Sequence, residues 1–71
     1  MKLYFCELDK RIVILKKLEN NLMYRIIYDP IKMRENWCTD ESNIIKEIET
    51  NNTNYKEIFS NFKSEYPEYF I

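Results

Sequence analysis

The chain has 71 residues, no glycine, no histidine, and 11 Lys/Arg against 12 Asp/Glu for a net charge of −1. As a single small domain it buries only about 60% of the surface its unfolded form exposes, so a partner or a second copy that adds burial would stabilise it. Without histidine it lacks the commonest general base and metal ligand, without glycine it cannot build a glycine-rich phosphate cradle, and near-neutral charge gives no global attraction for nucleic acid or anionic lipid; together these point away from an enzyme.

Met1 to Glu7 reads as a strand, with Leu3 and Phe5 pointing one way and Tyr4 and Cys6 the other. Leu8-Asp9-Lys10-Arg11 is a hairpin turn built without glycine, in which Asp9 tolerates the left-handed region best. Ile12-Val13-Ile14-Leu15 is a β-branched run suited to a central strand, and it ends in Lys16-Lys17. Glu19-Asn20-Asn21 forms a second turn, where either asparagine can take positive φ. Leu22 to Tyr28 is the third strand. Leu22, Tyr24, Ile26 and Tyr28 share one face; Met23, Arg25 and Ile27 share the other.

Asp29-Pro30 joins a strong N-cap to a residue favoured at the first helical position. A short helix from Pro30 to about Asn36 and an extended loop both fit. Thr39-Asp40 opens a further helix over roughly Glu41 to Thr50, with an acidic first turn that suits the helix dipole and a stripe of Ile44, Ile45 and Ile48. Thr50-Asn51-Asn52-Thr53 breaks it. Asn54 with Glu57 resembles a capping box. The last helix runs from Tyr55 to about Tyr66, with Tyr55, Ile58, Phe59, Phe62 and Tyr66 on one stripe. Pro67 ends it, and the apolar tail Glu68-Tyr69-Phe70-Ile71 can dock on the body. The architecture that follows is a single α+β domain over residues 1–71. It is a three-stranded antiparallel β-meander packed on one face by two or three C-terminal helices.

Both faces of that sheet carry apolar or aromatic residues, and the helices can cover only one. The second face is therefore an exposed aromatic patch, a surface buried against a partner, or a second small core finished by the tail, Trp37 and residues 31–38. The sheet edges are also open to strand addition.

An apolar content of 45% rules against disorder, and no apolar run approaches the roughly 20 residues of a membrane span. Acidic residues arrive too early for a secretory signal, so a cytoplasmic protein with reduced, buried Cys6 and Cys38 is expected. A disulfide between them is the alternative that spacing does not decide. The abundance of Ile, Lys, Asn and Tyr fits an AT-rich genome, which with the small size suggests a low-GC bacterium, its phage or a mobile element.

Chemistry-bearing constellations are scarce. Neither cysteine has a histidine to activate it, and two cysteines without CxxC spacing do not make a zinc site. Asp40, Glu41 and Glu47 could be imagined around magnesium, but exposed acidic faces explain them more simply; no metal or cofactor is expected. Residues 1–36 hold eight Lys/Arg against five Asp/Glu, and residues 37–71 three against seven, so the halves carry +3 and −4. The acidic set Asp40, Glu41, Glu47, Glu49, Glu57, Glu65 and Glu68 could face a basic groove on another protein.

The leading expectation is a small non-enzymatic protein-binding module, an inhibitor or regulator, with Tyr24, Arg25, Tyr28 and Trp37 as contacts because Tyr, Trp and Arg dominate interface hot spots. Self-association into a homodimer is compatible with it. The alternative is a nucleic-acid-binding module using Lys10, Arg11, Lys16, Lys17 and Arg25 with sheet tyrosines as base-stacking platforms. Lys32 and Arg34 add to that basic set, whereas Glu7, Asp9, Glu19 and Glu35 interrupt it.

Overall fold

The computed structural model describes residues 1–8, 10–17, 24–31 and 43–70. Its elements in chain order are β1 (Lys2–Leu8), β2 (Arg11–Lys17), β3 (Tyr24–Tyr28), β4 (Ile44–Glu49), α1 (Tyr55–Glu65) and a 3-10 turn at Pro67–Phe70. The class is α+β, but the sheet has four strands rather than three, all antiparallel, in the order β3-β2-β1-β4. Among the described residues there is one α-helix where two or three were expected. Pro30 and Ile31 lie in a turn; the rest of the expected 30–36 helix, and the second turn at 19–21, lie outside the described residues.

β1 and β2 pair from Tyr4↔Leu15 to Leu8↔Arg11, which leaves a two-residue turn. Lys10 takes the left-handed backbone there, with φ of 65°. That region costs a residue with a Cβ roughly 1 kcal/mol or more. Lys10→Gly is therefore expected to stabilise the chain by about 1 kcal/mol, raising Tm by roughly 4–8 °C in a thermal melt. An unchanged or lower Tm would show that the turn is not strained.

The helix expected over 41–50 is instead the edge strand β4. Ile44, Ile45 and Ile48 are β-branched and suit a pleated surface, and β1 offers an open edge whose backbone groups need partners. A bulge makes the isoleucine spacing compatible with a strand. Phe5 pairs with Lys46 and Cys6 with Ile44, so Ile45 is the extra residue. Such an insertion resets the alternation, and Ile45 and Ile48 both pack on the helix-bearing face while Ile44 goes to the other. Lys2 reaches Glu47 across this pair at 3.2 Å, and the hydrogen bond and charge of Glu47 raise the pKa of the lysine.

A second bulge sits in β3. Ile14 pairs with Tyr28 and Leu15 with Ile26, so Ile27 is extra. Tyr28 therefore leaves the face it was expected to share with Tyr24 and Ile26, and packs with Ile27 on the helix side. Leu22 and Met23 lie outside the described residues.

α1 starts where the capping pattern places it. The Asn54 side chain accepts from the Glu57 amide at 3.2 Å, which satisfies one otherwise orphaned donor. The reciprocal bond runs through a third residue. The Asn54 amide donates to Asn52 Oδ1 at 2.8 Å, and Asn52 Nδ2 donates to the Glu57 carboxylate at 3.1 Å. Tyr66 closes the helix, its amide donating to the Phe62 carbonyl at 2.8 Å, and Pro67 starts the 3-10 turn.

The helix buries Ile58, Phe59 and Phe62 against Leu3, Phe5, Ile12 and Ile14. Phe62 stacks on Phe5 with ring centres 3.8 Å apart and planes 11° apart, and Phe59 meets Tyr28 at 5.1 Å and Phe70 at 5.5 Å. Lys46 extends the same face, its ammonium 4.8 Å from the Tyr66 ring centre, and the neighbouring phenol raises its pKa. The tail through Phe70 thus docks on this first face.

On the second face Cys6, Val13, Leu15, Tyr24 and Ile26 form a separate buried cluster, with Tyr4, Leu8 and Ile44 against it. This excludes the exposed aromatic patch, and the tail's position excludes the tail as its cover. Trp37, Cys38 and residues 32–36 lie outside the described residues.

Candidate functional site

The hairpin turn brings Glu7 and Ile12 opposite each other on the helix side of the sheet, with Lys10 at the tip. Arg11 starts β2, and Asp29 follows β3. The Arg11 guanidinium donates from Nε to Asp29 Oδ1 at 2.9 Å and from Nη2 to Oδ2 at 2.6 Å. Its Nη1 also donates to the Leu8 carbonyl at 3.2 Å. This fork-to-fork geometry is the strong form of an ion pair. Both side chains are buried, 8% and 1% exposed, so the pair is shielded from salt. Asp29 accepts from the Ile31 amide at 3.0 Å, the bond shared by an N-cap and an Asx turn, and this holds Ile31 beside the ion pair.

Across Arg11, the 3-10 turn supplies Glu68 and Tyr69. An open groove of about 340 Å³ lies between the turns, lined by Glu7, Lys10, Arg11, Ile12, Glu68 and Tyr69. Ile31 is 69% exposed and Tyr69 43%; they are the large apolar side chains most exposed among the described residues. Ile31 sits beside Asp29, and Tyr69 lines the groove. The carboxylates of Glu7 and Glu68 are exposed, and neither takes part in an ion pair among the described residues.

Among the described residues, the expected contacts Tyr24, Arg25 and Tyr28 do not form one surface. Tyr24 is 4% exposed, packed edge-on to Tyr4 at 5.1 Å with the Lys17 ammonium 5.9 Å from its ring centre. Tyr28 is half-buried against Phe59 on the opposite face. Arg25 is exposed. Trp37 lies outside the described residues. The sheet tyrosines are thus committed to packing.

The basic set splits in two. Lys16 and Arg25 are exposed and directly opposite each other, with Lys17 next along β2. Lys10 and Arg11 sit at the other end of β2, about 20 Å away at about 3.3 Å per residue. Arg11 is also engaged by Asp29. Lys32 and Arg34 lie outside the described residues. The acidic set disperses as well: Glu49 meets the Met1 amine at 3.2 Å, Glu47 meets Lys2, and Glu57 meets Asn52, while Asp40 and Glu41 lie outside the described residues. Among those described, no group of three or more His, Cys, Asp or Glu side chains could hold a metal ion, and no helix is long and apolar enough to cross a membrane. Cys6 is buried, its thiol donating to the Glu7 carbonyl at 3.5 Å.

Sequence reasoning missed Ile31, Glu7 and Tyr69 as surface candidates. The hairpin pattern could have placed Glu7 beside the turn. Nothing local signals that the 3-10 turn folds back onto that end, because the contact joins the two ends of the chain. Compared with family models, with curated proteins and with solved structures, the chain finds no match in any of the three.

Proposed function

We propose that this chain is a non-enzymatic protein-binding module, an inhibitor or regulator acting in the cytoplasm, which docks through the groove end of its sheet. The observation that supports this reading is the exposure of two large apolar side chains at this end of the sheet, Tyr69 in the groove wall and Ile31 held by the buried Asp29 that Arg11 pairs. Apolar anchors held on a rigid base lose little entropy on binding, and aromatic anchors are typical of interface hot spots. The expected result is that the tagged chain captures a stoichiometric protein from source-cell lysate, that capture survives nuclease, and that Ile31→Ser and Tyr69→Ser each weaken it at least about tenfold with thermal melts unchanged to within a few degrees. Capture that is indifferent to both substitutions sinks the reading.

A second reading, nucleic-acid binding, keeps support from Lys16 opposite Arg25. Like charges directly across a strand pair are destabilising, and neither makes an ion pair among the described residues, so a phosphate anion would relieve them. In the same pull-down this reading expects prey that disappears with nuclease and with rising salt.

A further inference from the structure

We infer that the groove between the β1–β2 turn and the 3-10 turn receives an arginine side chain presented by the protein partner; this rests on the binding reading above and names the chemistry of its ligand. Three features of the groove converge. The partly exposed Tyr69 lines the groove and supplies an aromatic ring, the group on which a planar cation stacks. Glu7 and Glu68, one from β1 and one from the 3-10 turn, line the groove and offer two carboxylates without ion-pair partners among the described residues. The cation already in the wall, Arg11, has its charge met by Asp29, so it does not fill that role. With Arg11 neutralised by Asp29, the remaining described charges of the lining, Glu7, Glu68 and Lys10, are net negative by one.

Other occupants fit less well. An acidic side chain would be desolvated against two carboxylates. An apolar side chain would bury those carboxylates with nothing to pair them, which costs more than the apolar contact returns. A volume of about 340 Å³ is at the small end for ligand pockets, which run to about 1,000 Å³, and suits one long side chain with its waters. A guanidinium suits Tyr69, Glu7 and Glu68 together, since it stacks on an aromatic ring and donates in-plane to carboxylates at the same time.

The test is chemical-shift mapping of the labelled full chain with the blocked peptide acetyl-Ala-Arg-Ala-amide, against acetyl-Ala-Glu-Ala-amide and acetyl-Ala-Leu-Ala-amide. The arginine peptide is expected to shift Glu7, Lys10, Ile12, Glu68 and Tyr69, and the other two are not. Glu7→Gln and Glu68→Gln, both exposed and checked by melting, are expected to weaken that binding about three- to fivefold each. Lys10→Gln is expected to tighten it about twofold by removing a like charge. No groove shift with the arginine peptide, equal shifts with the leucine or glutamate peptide, or shifts confined to the Glu47–Glu49 edge would overturn the inference. So would groove resonances that move with protein concentration alone, because the occupant would then be a second copy. If partner capture is lost in Ile31→Ser and Tyr69→Ser while the arginine peptide leaves the groove unshifted, the inference falls and the binding surface stands. Capture indifferent to both substitutions removes the surface and the inference together.

Discussion

Arg11→Met is expected to lower the unfolding free energy by about 3–5 kcal/mol, because it removes the bidentate counter-charge from the Asp29 carboxylate in a site where it is 1% exposed. It also deprives the Leu8 carbonyl of a donor and loosens the turn that positions Ile31. A chain of 71 residues has roughly 4–11 kcal/mol of stability to lose, so the single change removes a large share of it. Asp29→Leu alone should cost a similar amount, by removing the carboxylate that meets the buried guanidinium charge. The double substitution Arg11→Met with Asp29→Leu should recover much of the loss, since a buried ion pair is often no more stabilising than apolar residues of similar volume. Urea unfolding followed by circular dichroism, run as a double-mutant cycle, measures all four states. A loss below about 1 kcal/mol for Arg11→Met would place the pair among ordinary surface ion pairs and contradict its burial. The double variant carries a functional consequence too. It keeps the fold while removing the hydrogen bond that orients Ile31, so partner capture should stay weak after stability has returned.

Phe62→Ala is expected to cost about 3–5 kcal/mol, the range for emptying a buried aromatic site. Phe62 is the residue through which α1, the 3-10 turn and the sheet meet: it stacks on Phe5 and packs with Tyr66, Tyr69 and Phe70. Phe62→Leu keeps most of the volume and should cost less than about 1.5 kcal/mol more than wild type. A cycle with Phe5→Leu should show a coupling of about 1 kcal/mol from the ring stack itself. In hydrogen exchange, Phe62→Ala should expose α1 amides before those of β1 and β2, because the helix is anchored mainly through this face. Equal exposure of helix and sheet would mean that the two unfold as one unit.

Those two sites differ in how far the amino-acid order announces them. The Phe62 stripe is legible at once, since Tyr55, Ile58, Phe59, Phe62 and Tyr66 repeat with the helical period and Asn54 and Glu57 mark the start. The alternation in β1 is equally legible: it sets Leu3 and Phe5 against Tyr4 and Cys6, as observed, while the pairing of β1 with β2 shows that Ile12 and Ile14 join the face of Leu3 and Phe5. These features rest on interactions between residues a few positions apart, where period and propensity dominate the energetics.

The features that escape the amino-acid order all depend on distant partners. Ile44, Ile45 and Ile48 fit one helical stripe, and equally a strand with one bulge; the open edge of β1 chooses between them by offering hydrogen bonds that a helix would leave unmade. The bulge at Ile27 moves Tyr28 across the sheet, and only the pairing register with Ile14 and Leu15 shows it. Arg11 and Asp29 look like a generic cation and a generic cap, 18 positions apart, until the β2–β3 pairing brings them together. Periodicity, capping and the alternation within an unbulged strand are local and therefore readable from the chain. Strand partners, bulge positions, the buried ion pair and the groove beside Tyr69 are settled by the competition among long-range pairings, whose free energies depend on the whole packed molecule.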